Sequence, residues 1–373
     1  MKKKIGLRNE IRIERGGLAI KKRRYPPTRD FPIPASSFPP DGLFRFLPRW
    51  MHGSGKTLWP PNCGTLADTI YSIRKLRERK PILAAAVFFI AFTLAFAPSA
   101  GAAEPLRVLT SFLPMEIFTR NVVGDTPGVT VVSMLPASTG CPHDYALTPG
   151  DMRKIASADL FVANGLGMEE FLGEPVRRAN PKIRIVETAR TVLPIHGEHG
   201  HGDVNPHTWV SPRNAILQVR EIEKALSAAR PVSARVFRRN ADAYVSRLSA
   251  LAAEFEAAAK TFRRRNVVTF HNVFGYLARD IGLTVVGEIE TAPGQEPSAG
   301  EIRKLSRTIR ERKVPAVFSE PQYSPKLADA LAREAGVPVR VLDPVATGSP
   351  TLTAYEDAMR RNLSTLNEAL SDR

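Results

Sequence analysis

Four of the chain's seven histidines fall within His196–Trp209, HGEHGHGDVNPHTW. Imidazole nitrogens bind zinc and similar borderline metals, so a metal is the first chemistry this sequence suggests. The four do not form one group. His196, His199 and His201 stand in a Gly-rich stretch, IHGEHGHGD, whereas His207 stands in NPHTW, just before the helix-like SPRNAILQVREIEKAL. His143 lies in ASTGCPHDY after the apolar run VTVVSML, His271 follows NVVTF directly, and Asp343 follows VPVRV. Singly, each has a plainer use: a histidine in a loop, or an aspartate before proline in a turn. Together, His143, His207, His271 and Asp343 offer three nitrogens and one carboxylate oxygen, a four-coordinate set suited to Zn²⁺. With neutral imidazoles and one carboxylate, the occupied site carries a charge of about +1 and needs no large buried imbalance.

The elements that would position these residues follow from apolar periodicity. Short strand-like runs appear at 104–114, 129–135, 159–165 and 183–189, and again at 266–270, 283–290, 316–320 and 337–343. Helical patterns separate them, at 148–158 (with Thr148 and Asp151 arranged as an N-terminal cap), 298–313 and 324–336. Alternation of this kind predicts parallel sheets covered by helices, here two α/β lobes. His143, His271 and Asp343 then lie just beyond the carboxyl ends of strands, the edge where open α/β sheets bind ligands. The stretch 229–262 keeps Val236, Phe237, Ala241, Tyr244, Leu248, Leu251 and Phe255 at helical spacing without internal Gly or Pro. Roughly thirty residues make a helix of about 45 Å. The expected architecture is two parallel-sheet α/β lobes bridged by one long rigid helix, with the metal site in the cleft between them.

The net charge of +16 invites a nucleic-acid partner, but residues 1–103 hold 19 of the 53 Lys and Arg and only 6 of the 37 Asp and Glu. The remaining body has a net charge of only +3, which gives no footprint for a phosphate backbone. RKLRERK (74–80), the uncharged run PILAAAVFFIAFTLAFA and the small residues PSAGAA have the form of a secretory signal peptide; an uncleaved anchor is the alternative. No cysteine stands at the cleavage site, so a lipoprotein anchor is not expected. Residues 1–73, rich in Pro, Arg and Lys, read as a disordered extension outside the working protein, with translation beginning downstream, for instance at Met51. The expected division is an extension (1–73), a signal peptide (74–103), a first lobe (104–228), the linking helix (229–262) and a second lobe (263–373). Cys141 alone remains after Cys63 is set aside, so no internal disulfide is expected. Either Cys141 is a small, partly buried free thiol or its thiolate adds to the metal set; a set that already has four candidate ligands favours the thiol. There is no HExxH pair, Gly-x-Ser-x-Gly elbow or glycine-rich phosphate loop.

PHDYALTPGD (142–151), NGLGMEEFL (164–172), NPHTWVSP (205–212), FHNVFGYL (270–277), FSEPQYS (318–324) and LDP (342–344) occur in that order. In these motifs, over nearly all of 105–365, the chain resembles the zinc/manganese-specific solute-binding proteins of ABC importers. The resemblance implies the same two-lobed fold and places the metal ligands on His143, His207, His271 and Asp343. Manganese-specific relatives usually carry Glu at the third position; His271 there favours zinc, because nitrogen is softer than a carboxylate oxygen. Glu320 is expected to hold a ligand in place, to serve as an alternative carboxylate, or simply to end the AVFS strand. His196, His199 and His201 form a short version of the His-rich loop of zinc-specific members, either an accessory collector of zinc or a plain solvated loop. The implied function is that of a non-enzymatic periplasmic monomer capturing Zn²⁺ for an inner-membrane permease with its cytoplasmic ATPase. A metallochaperone that loads it stays open. A manganese or iron carrier of the same architecture is the alternative reading, and a zinc-dependent hydrolase a more distant one.

Overall fold

The structure is a computed structural model that describes residues 104–140, 142, 145–169, 173–196, 204–290 and 296–371. The extension and signal peptide expected at 1–103 lie outside the described residues. Two four-stranded parallel sheets organise the rest. The first is built from β1 (Leu106–Thr110), β2 (Val129–Ser133), β3 (Leu160–Ala163) and β4 (Arg184–Glu187), in the order β2-β1-β3-β4. The second repeats that order with β5 (Asn266–Thr269), β6 (Thr284–Glu288), β7 (Val317–Ser319) and β8 (Val339–Val341), as β6-β5-β7-β8. All pairings are parallel, so each strand returns through a crossover. The inner strands are accordingly apolar and buried, LFVA in β3 and VFS in β7.

The crossovers in the first lobe are α1 (Leu113–Val123), α2 (Pro149–Ser157) and α3 (Glu174–Ala179); those in the second are α6 (Gly275–Ile281), α7 (Ala299–Glu311) and α8 (Lys326–Ala335). Thr148 and Asp151 exchange side-chain and backbone bonds at the start of α2, the reciprocal cap their spacing suggests. Between β4 and β5 the chain forms α4 (Pro212–Ala229) and α5 (Ala234–Ala259), and it closes with α9 (Ala354–Leu370).

Helix α5 is the expected strut, with Phe237, Ala241, Tyr244, Leu248, Leu251, Phe255 and Ala259 on its buried face. It packs against α1, α4, α6 and α9. Each large apolar side chain on that face contributes about 1.5–3 kcal/mol relative to exposure. The helix begins later than the expected residue 229. Pro231 lacks an N–H and forces Arg230 out of the helical region (φ −138°, ψ 78°), so α4 stops and a short 3₁₀ turn, Pro231–Ser233, precedes α5. At 26 residues the strut is about 39 Å long. One buried apolar cluster runs from Val108 and Phe118 through Tyr244 and Leu248 to Phe274 and Phe318, so the lobes share a core. Arg247 of α5 adds polar ties, to Asn121 of α1 and, at 2.9 Å, to Glu356 of α9.

Candidate metal centre

In both sheets the strand order reverses beside the first strand, and the second sheet's switch point falls between β5 and β7. His271 follows β5 by two residues and Glu320 follows β7 directly, so their side chains meet above adjacent strand ends. His271 Nδ1 lies 2.6 Å from Glu320 Oε1, and the Glu320 side chain is fully buried. Gln322 Nε2 donates to the other oxygen of Glu320 at 2.6 Å, so the carboxylate has no freedom to rotate. A carboxylate on Nδ1 fixes the proton there and leaves Nε2 with its lone pair. That Nε2 is buried and has no hydrogen-bond partner among the described residues. A buried orphan nitrogen costs on the order of 1–3 kcal/mol and fits a group that receives a metal.

His207 meets His271 from the first lobe. The two rings lie edge to face, with centroids 5.2 Å apart and planes at 78°. His207 is 4% exposed, and its Nδ1 lies 2.9 Å from Asn205 Oδ1, which also accepts from the His207 backbone N–H at 2.9 Å. The segment around it is clamped on both flanks. Asn164, just past β3, donates to Pro206 O at 2.8 Å and accepts from Thr208 Oγ1 at 2.9 Å. Trp209, wholly buried against Phe112, donates Nε1–H to Pro344 O at 2.7 Å, and Tyr355 of α9 donates to Trp209 O at 2.7 Å.

The bond from Trp209 to Pro344 brings the loop of Asp343 to the His207 segment. Asn362 of α9 grips the Asp343 backbone at both N–H (2.8 Å) and C=O (2.7 Å). The Asp343 carboxylate accepts from the Val345 N–H at 2.7 Å and faces Arg361 at 3.6 Å. Val345 holds φ +60°, a left-handed conformation unusual for a β-branched residue, which stores on the order of 1–3 kcal/mol in this turn. Among the described residues no three His, Cys, Asp or Glu side chains gather as a metal-holding group. His207 and His271 are together, and Asp343 is turned toward Val345 and Arg361. His143, with Cys141, His199 and His201, lies outside the described residues. His196 is exposed and pairs with Val204 in an isolated antiparallel bridge.

Several participants stand inside recognised motifs but are not singled out by the sequence: Asn164, Asn205, Trp209, Asn272, whose side-chain oxygen accepts from Asn205 Nδ2 at 2.8 Å, and Tyr276, whose hydroxyl donates to Asn205 O at 2.7 Å. For Asn205 and Asn272 a polar residue one or two places from a histidine was the available signal; Asn164, Trp209 and Tyr276 offered none. Glu169, in the same loop as Asn164, is a second buried carboxylate. Burial pushes its pKa up to about 7, against the opposing pull of the backbone N–H groups of Gly165 and Asn164.

Two α/β lobes thus share one long linking helix, and an imidazole from each lobe meets the other between them. The family model described as zinc-uptake complex component A, periplasmic (ZnuA), matches residues 108–369. The chain therefore belongs to the ZnuA family of periplasmic metal-binding proteins. The zinc-binding protein AdcA of Streptococcus pyogenes serotype M6 is 32% identical over 304 residues, covering 74% of this chain. The chain spans only 58% of that relative's length. A zinc-bound crystal structure of a ZnuA deletion mutant superposes with a TM-score of 0.64 at 27% identity, over 72% of this chain and 100% of that one. The binding protein FpvC of Pseudomonas aeruginosa, in complex with Mn²⁺, gives 0.64 at 31% identity, over 72% and 98%. The resemblance read from the motifs and the two-lobed α/β fold are both borne out.

Proposed function

We propose that this protein captures Zn²⁺ in the cleft between its lobes, with His143, His207, His271 and Asp343 as ligands, and carries it to an ABC importer. The observation that carries this reading is the His207–His271 pair. Two imidazoles bound through Nε2 to one tetrahedral zinc, at about 2.0–2.1 Å each, have ring centroids about 5 Å apart; these stand at 5.2 Å. Both keep an oxygen on Nδ1, the arrangement that aims Nε2 at a metal. Glu320 serves in this reading as the support of His271, since both its oxygens are already engaged.

Nitrogen at residue 271 favours zinc over manganese or iron. Four protein ligands would leave no open coordination position for activating water, so the ion is cargo and no reaction is catalysed. Residues 74–103, as an export signal, take the protein to the periplasm, and in this reading it works there as an unlipidated monomer that docks on a permease driven by a cytoplasmic ATPase. The shared core and the strut limit lobe movement on loading. The test is metal competition: metal-free protein is offered Zn²⁺ and Mn²⁺ together, and bound metal is read by elemental analysis. One tight zinc per chain is expected, weakened more than about 100-fold in His271→Ala, beyond the range for an outer partner. Preferential manganese, or zinc retained at wild-type affinity without His271, contradicts the proposal.

A further inference from the structure

We infer that Asn205 is the positioning residue that sets both histidines of the cleft at once, one through its oxygen and the other through its nitrogen. The inference rests on the zinc reading above. The orientation of the Asn205 amide follows from its neighbours. Its Nδ2 lies 2.9 Å from Asn272 O and 2.8 Å from Asn272 Oδ1; a backbone carbonyl only accepts, so the atom facing it is the donor. Its Oδ1 faces the His207 backbone N–H at 2.9 Å, which only donates. Oδ1 is therefore an acceptor, and the His207 Nδ1 beside it at 2.9 Å carries the proton. His207 is thereby held as the tautomer whose Nε2 has the lone pair. The same amide grips the residue next to His271 from across the cleft.

Three features show that the chain is shaped around this contact. Asn205 is 6% exposed, so its bonds are not traded for water. Tyr276 of α6 donates its hydroxyl to Asn205 O at 2.7 Å and accepts from the Ile195 N–H at 3.1 Å, fixing the Asn205 backbone to the second lobe. Gly275 leaves the room: a Cβ there would stand 3.2 Å from Asn205 Nδ2 and 3.4 Å from Asn272 Oδ1. The arrangement joins residues 67 positions apart, and it sets the distance between two ligands that α5 alone places only at the level of whole lobes.

The test compares Asn205→Ala, Asn205→Asp and Gly275→Ala in the full chain, with His207→Ala as reference. Zinc affinity is read against a chelator, the His207 tautomer by ¹⁵N NMR of metal-free protein, and folding by thermal melting. Asn205→Ala is expected to weaken zinc about 10–100-fold and to give a mixture of His207 tautomers. Asn205→Asp restores the acceptor and the single tautomer but not the donor to Asn272, so its affinity stays below wild type. Gly275→Ala weakens zinc by crowding the amide pair, and it stands in for Asn205→Ala if that variant melts early. Wild-type affinity and tautomer in Asn205→Ala would overturn the inference, and full affinity in Asn205→Asp would overturn its cross-cleft half. Zinc retained in His207→Ala would instead refute the underlying metal site.

Discussion

His271 and Asp343 both follow strands of the second lobe, yet they are held very differently. The His271 ring is 12% exposed and pinned through Nδ1 by Glu320, which is itself pinned by Gln322. At Asp343 the backbone is clamped by Asn362, while the carboxylate, 22% exposed, divides itself between a backbone N–H and the exposed Arg361. In the proposed site the two imidazoles are held in place by neighbouring oxygens before any ion arrives, whereas the Asp343 carboxylate is engaged elsewhere and would have to exchange Arg361 for metal. A site built as proposed would bind through a rigid pair and close with a movable charge. That contrast suits the proposed role of a carrier, which must also release its cargo.

The strongest way to break the contrast is Glu320→Ala, which frees the His271 ring. It should weaken zinc about 10–100-fold by chelator competition; an unchanged affinity would mean that His271 is not preset. Asp343→Ala should fall at the lower end, about 10-fold, with one zinc still bound in elemental analysis, because water can take an oxygen ligand's position. Complete loss of zinc there would make the carboxylate no less essential than the histidines. Arg361→Gln should act in the opposite direction, tightening zinc by up to about 5-fold, the worth of an exposed ion pair of up to about 1 kcal/mol. Stopped-flow transfer to a chelator should then slow, and faster transfer would remove Arg361 as a competitor.

Glu169 extends the comparison to a buried carboxylate with no histidine, two hydrogen bonds from Pro206 through Asn164. Its effect belongs to stability. Because its folded pKa is raised from 4.5 to about 7, the native state holds the proton more tightly than the unfolded chain. Its contribution is favourable at or below pH 4.5 and is lost as pH rises to about 7, by up to about 3 kcal/mol. Urea midpoints at pH 5 and pH 8 should differ more in wild type than in Glu169→Gln; equal differences would exclude this source.

Much of the molecule was legible because its signals are local. All eight strands coincide with apolar runs such as VTVVS and NVVT, and His271 and Asp343 could be placed beyond strand ends by counting along the chain. The linking helix was overextended, although Pro231 already marked its start. Helix α9 carries Tyr355, Met359, Leu366 and Leu370 at helical spacing but no motif that marks it in the sequence. The roles of Asn205, Asn272 and Trp209 were not legible, since each depends on bonds to residues 67 to 135 positions away. Such bonds exist only once the two lobes have docked.

The most direct test is a crystal structure of the zinc-loaded protein, with anomalous data collected on both sides of the zinc edge. One strong peak is expected in the cleft, about 2.0–2.1 Å from Nε2 of both His207 and His271, with Asp343 turned from Arg361 toward the ion. A peak found only in the loop of His196, His199 and His201, or an ion touching one of the two cleft histidines alone, would contradict the shared site.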